Sequence, residues 1–205
     1  MSGIIQATNL QVTNVKKLDG SAPELSDLGI KSPYEIHWWA YAGSQTPSAD
    51  TNLLLTSFTT INNTNDFDAG SNQGVSSFTQ VGTVDFSHSS GVFTFPRTGV
   101  WKITATLNLQ DDDNHSRHVN SWLEISTNSG TSWSQYNPGY GNFNRPVSSN
   151  NYDTITGCRI VNVTNTSTFR FRWQVLSNTA IDRIRTSDDA GGTNVVFERV
   201  ADAQS

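Results

Sequence analysis

Two stretches of this sequence concentrate residue types that chemistry uses. The first, "DDDNHSRH" from Asp111 to His118, sets three carboxylates beside two imidazoles. Asp111 and Asp113 offer hard oxygen ligands of the kind calcium takes, and His115 with His118 offers nitrogen for a transition metal. Neighbouring carboxylates on a loop point in different directions, however, and the spacing follows no metal-binding signature. A solvated turn is the favoured reading, so no cofactor is expected. The second, "WSQYNPGYGNFNRP" from Trp133 to Pro146, scatters Trp133, Tyr136, Tyr140, Phe143 and Arg145 among Asn, Gly and Pro. Rings that stack on a pyranose, with amide and guanidinium donors for its hydroxyls, are the chemistry of sugar binding, and long loops are where sandwich folds carry it. The competing reading is a loop folded over its own aromatics or packed on a neighbouring subunit.

The remaining candidates are weaker. Arg170 and Arg172 form a short basic stripe, with Arg183 and Arg185 beyond it. Strand-face solvation, or pairing with Asp182 or Asp188, explains them without a ligand. Cys158 stands between Gly157 and Arg159 with no His nearby in sequence, and is read as a small core residue. No Ser-His-Asp order, glycine-rich phosphate loop or Cys-x-x-Cys occurs, so no catalytic residue is assigned and the chain is expected not to be an enzyme.

Such residues need a scaffold, and the composition says which kind. Of 205 residues 35% are hydrophobic, but six Trp and ten Phe supply large buried areas from few positions. The balance, rich in Ser, Thr, Asn and Gly, suits turns and exposed strand faces, and no segment carries a helical apolar period. The net charge of −5 argues against a nucleic-acid partner. No stretch approaches the roughly 20 apolar residues of a membrane helix, so no membrane partner is expected. The single cysteine cannot form an intrachain disulfide, and "MSGIIQATNLQVTN" has no basic start followed by an apolar run. Synthesis at a reducing site without a signal peptide is therefore expected.

Residues 1–32 differ from the rest. They hold one loosely alternating stretch and one helical turn capped by Ser21 and stopped by Gly29 and Pro33. This arm is too short for its own core and must pack elsewhere through Ile4, Ile5, Leu10, Val12, Leu25 and Leu28. From 33 to 205 the chain reads as a head of about ten short strands at sandwich-like spacing. Trp101-Ile103-Ala105-Leu107-Leu109 and Phe169-Phe171-Trp173-Val175 alternate with polar residues, as antiparallel strands buried on one face do. "YEIHWWAY", residues 34–41, is apolar on both faces. One face belongs in the core; the other belongs against a neighbouring subunit or against the arm of the same chain.

Between Phe86 and Leu107 the pattern sharpens. Phe86, Gly91, Phe93, Pro96, Gly99, Val100 and Trp101 make an aromatic, a polar turn, Gly-x-Phe, Pro, Gly and an apolar-aromatic pair opening a long alternating strand. This resembles the signature of complement q-type heads in the tumour-necrosis-factor-like (TNF-like) superfamily. The resemblance implies an all-β, antiparallel jelly-roll β-sandwich and, usually, a homotrimer with the first and last strands in the trimer-forming sheet. His37, Trp39 and Tyr41, with Lys102, Thr104 and Thr106, are the expected interface. Pro96 and Gly99 are expected to turn the chain from one sheet to the other. "STNSGTSW", from Ser126 to Trp133, resembles the Asp-box of sialidases with Asn128 in place of the Asp, and implies only a hairpin turn.

An acidic, Asn/Ser/Thr-rich trimeric head on a short arm also looks like a virion component of a tailed bacteriophage. The expected function is structural: a capsid decoration or a head or tail fibre component located in the virion, its arm docked on a capsid or tail protein. The alternative is a receptor-binding tip that recognises host-surface glycans through residues 133–145.

Overall fold

The computed structural model describes residues 35–43, 45–60, 86–111, 117–143, 151–178, 183–185 and 192–204. The proposed arm, residues 1–32, lies outside them, as do Asp113, His115 and Arg145. Twelve strands occur among the described residues: β1 (Glu35–Tyr41), β2 (Thr51–Leu54), β3 (Phe58–Thr60), β4 (Ser87–Ser89), β5 (Val92–Thr94), β6 (Gly99–Asp111), β7 (Arg117–Ser126), β8 (Ser134–Phe143), β9 (Asn151–Val163), β10 (Arg170–Ser177), β11 (Arg183–Ile184) and β12 (Asn194–Ala201).

All but β2 form two antiparallel sheets. In the first, β6 is the hub: β9 pairs with one edge along its whole length, while β12 and β11 share the other. The order then continues through β12 to β1 and β3. The second sheet runs β4-β5-β10-β7-β8. The first and last strands, β1 and β12, are neighbours in register from Glu35 opposite Arg199 to Ala40 opposite Asn194. The two sheets close on each other as a jelly-roll sandwich.

The core is built from rings, as the composition requires. Trp101, Trp173, Phe93, Phe95, Phe171 and Phe197 are fully buried. Phe197 stacks on Phe86 with centroids 4.2 Å apart and meets Phe93 and Phe171 at 5.2 and 5.4 Å. The alternation in β10 is complete, with Phe171, Trp173 and Val175 inside and Arg170, Arg172 and Gln174 half-covered outside.

Phe86 to Leu107 holds the tightest local geometry. β4 and β5 join through Ser90 and Gly91, whose φ values of 48° and 84° fit the primed hairpin turn that matches strand twist. β5 ends in the second sheet; Phe95 plugs the core; Pro96 cannot extend a ladder; and Gly99 opens β6 in the first sheet. The expected corner between sheets is present. At Gly99 a Cβ would lie 2.5 Å from Arg199 Nε, so the close approach of that side chain requires glycine.

Candidate functional site

Strand parity decides which side chains can meet a partner. In β1, His37, Trp39 and Tyr41 point into the sandwich and are buried. His37 sits 5.2 Å from the Phe86 ring, and Trp39 packs edge-on against Phe93 at 5.4 Å. These three therefore cannot line a subunit interface, which corrects the sequence-based assignment. β1 was apolar on both faces, so alternation could not orient it. Its register against β12, with His37 opposite the core residue Phe197, sets the inward face.

The opposite parity faces outward across the first sheet. One row runs Trp38, Val196, Thr104, Cys158 through β1, β12, β6 and β9. The next runs Ile36, Glu198, Lys102, Ile160. A third holds Asn194, Thr106 and Thr156. Lys102, Thr104 and Thr106 do lie on this outer face, half-covered. Lys102 Nζ pairs with Glu198 Oε2 at 2.6 Å. Beside that pair lie the apolar side chains of Ile160, 65% exposed, and of Ile36, Trp38 and Val196, half-buried; Tyr152, 56% exposed, lies eight residues further along β9. Cys158 is exposed here, opposite Thr104, and is not the core residue that its sequence context suggested.

At one end of the sandwich a buried ionic cluster joins four segments, and sequence reasoning missed it. Glu35 and Arg199 face each other across β1 and β12 and both are buried. Arg97, from the corner, pairs with Glu35, and His37 Nε2 lies 3.3 Å from the same carboxylate. Arg199 also donates from Nε to the Thr98 carbonyl at 3.1 Å and from Nη2 to Asp202. Burial draws the Arg97 pKa down, with Arg199 acting the same way and Asp202 against it. The charges compensate one another and tie the corner to the first and last strands. The only signal in the sequence was charged residues at inward positions of apolar strands.

The stretch from Trp133 is not a long loop. Residues 134–143 form β8, antiparallel to β7 with a register shift between Ser121 and Leu123. Tyr140 and Phe143 lie on this strand opposite Asn120 and Arg117. The two described rings each carry an arginine. Arg172, which also pairs with Glu124, lies 4.2 Å from the Trp133 centroid, and Arg159 lies over Tyr136. One ring face on each is therefore covered by the protein's own guanidinium.

The other motifs resolve into structure. In the Asp-box-like turn, Asn128 Oδ1 accepts from Ser132 N at 2.9 Å and from the Ser126 hydroxyl at 2.8 Å, while Ser126 Oγ accepts from Gly130 N at 2.8 Å. Left-handed backbone falls on Ser129 and Gly130, so Asn128 acts through its side chain rather than its φ. Arg170 donates to the carbonyls of Thr166, Ser167 and Phe169. Arg183 donates to Gln110 Oε1, and Arg185 stacks over Tyr152. Asp111 ends β6, His118 lies in β7, and no metal-binding cluster occurs among the described residues.

No family model and no curated protein matches the sequence. Solved structures do. Eiger TNF from S. frugiperda superposes with a TM-score of 0.51 at 10% identity, over 85% of this chain and 97% of that one. The fold is a TNF-like jelly roll. Murine APRIL, in a crystal structure at pH 8.5, aligns over 82% of this chain and 99% of that one, with a TM-score of 0.48 and 8% identity. At these identities the likeness concerns architecture alone.

Proposed function

We propose that this chain is a non-enzymatic structural protein that assembles as a homotrimer through the outer face of its six-stranded sheet. The observation that carries the reading is the concentration of Ile160, Ile36, Trp38 and Val196 on that one face. Exposed apolar surface gathered on one side, with a polar rim, marks an interaction site, and closed symmetry is the common way to cover it. The Lys102–Glu198 pair at its centre supplies charge that fixes orientation more than affinity. The superfamily resemblance of the 86–107 signature supports the three-fold choice.

In this proposal the head belongs to a virion of a tailed bacteriophage, as a capsid decoration or fibre component, and residues 1–32 dock it on a capsid or tail protein. Support comes from the acidic, Asn/Ser/Thr-rich composition and from an arm with apolar residues but no room for its own core. Light scattering on the purified chain tests the assembly: a mass near three times the 22.5 kDa chain is expected. A monomer mass at micromolar concentration would remove the proposal. Proteomics of purified particles tests the location.

A further inference from the structure

Between the edge strands β8 and β9 the sandwich opens into a groove of about 280 Å³. Ile125, Val161 and Phe169, all buried, form its apolar floor, and the exposed Ile160 also lines it. The exposed hydroxyls of Thr127, Ser132 and Ser134 line its rim. Ser132 Oγ already accepts from Asn128 Nδ2, which leaves its O–H free to donate. Arg159 forms one wall. It points inward from β9, opposite Ile103, and stacks on Tyr136 from β8.

The state of this guanidinium is the telling feature. Its Nε and Nη1 groups are buried and have no hydrogen-bond acceptor. Among the described residues Arg199 and Arg97 reach carboxylates, while Arg97 and Arg185 each leave only Nε buried without an acceptor; Arg159 leaves two such donors and no carboxylate partner is shown for it. A buried donor left without an acceptor costs on the order of 1–3 kcal/mol, more for a charged group. Tyr136 lies against the group through its ring, which accepts no ordinary N–H hydrogen bond. An acceptor entering through the groove would supply what the chain does not.

The geometry points to a binding site for a carboxylate-bearing monosaccharide unit, such as a uronic or sialic acid. The guanidinium of Arg159 supplies charge-assisted N–H donors that match a carboxylate. The rim hydroxyls match a polyol, the floor matches the apolar face of a pyranose, and the volume suits one sugar ring rather than a chain. A bare anion would use the arginine and waste the floor; a neutral sugar would leave the arginine unpaired. The lining comes from one copy of the chain, with Ile160 shared between the groove and the proposed subunit face.

Calorimetric titration of the full chain with glucuronate, galacturonate and N-acetylneuraminate tests it, with galactose, glucose and acetate as controls. At least one acidic sugar is expected to bind about tenfold or more tightly than its neutral counterpart and than acetate. Arg159→Gln should abolish that preference. Because Arg159 also packs on Tyr136, its melting curve is checked, and Thr127→Glu gives a second route. A carboxylate added at the exposed rim should weaken acidic sugars about tenfold and leave the fold intact. Absence of binding, equal binding of neutral sugars or of acetate, or full binding by a folded Arg159→Gln variant each overturns the proposal. Light scattering on the same samples reads the assembly separately.

Discussion

His88 shows how one side chain ties pH to stability in this head. Its ring lies among Trp39, Phe58 and Phe93, with centroids 5.7, 5.4 and 4.6 Å away. Nε2 accepts the Gly91 N–H at 3.2 Å, which requires that nitrogen to be unprotonated. Burial among rings lowers the pKa from the ordinary 6.5. Between the lowered value and 6.5 the unfolded chain holds a proton that the folded chain refuses. The stability His88 contributes is therefore complete above pH 6.5 and is lost as pH falls through that window. Chemical denaturation at a series of pH values should show the loss, and His88→Gln should remove the His88 share of the slope. An identical slope in the variant would show that the imidazole plays no part. Nothing in the sequence marked this residue: "SHSSG" reads as a polar turn, and only the return of β5 against β4 places the ring inside. Cys158 erred the other way, because a small residue between Gly and Arg gives no parity of its own, and only its pairing with Thr104 puts it outside.

At the scale of elements, the hairpin and corner between β4 and β6 position both sheets. Gly91 holds a φ of 84°, and a Cβ there would sit 2.5 Å from the Leu55 carbonyl, a backbone atom that cannot swing away. Gly91→Ala should cost about 2 kcal/mol from backbone strain alone, with the clash in addition. Thermal denaturation followed by circular dichroism should show a midpoint several degrees lower; an unchanged midpoint would contradict this placement of the turn. This stretch was also the most legible part of the sequence. Pro96, Gly91 and Gly99 each have one dominant backbone reason to be where they are, and the long alternation of β6 and β10 leaves no choice of face. β1 and β8 were not legible, for opposite reasons. β1 is apolar on both sides, so its register came from β12. β8 carries Pro138, Gly139 and Gly141, the residues of a loop, yet runs as an edge strand because β7 supplies its ladder along one side only. An edge strand tolerates a proline whose missing N–H would have faced solvent.

For the whole molecule the question is what covers the outer face of the first sheet. The parity that buried His37, Trp39 and Tyr41 leaves Ile36 and Trp38 on the outside, in rows with Val196 and Ile160. A face of this kind on an isolated domain invites association through whatever apolar surface it meets, and a rotation that closes into a ring limits that association to three copies in the proposed arrangement. Replacing Ile160 and Val196 together by Asp puts two charges into the contact without touching the core, because both side chains point away from it. The variant should fold, keep its far-ultraviolet spectrum, and run as a monomer in light scattering. The unsubstituted chain should melt at temperatures that rise with concentration, since the folded state is coupled to assembly by mass action, and the variant should not. A double variant that retained three times the chain mass would move the interface off this face. If it instead lost its fold, the two side chains would belong to the interior of a single copy, against the exposure that places them outside.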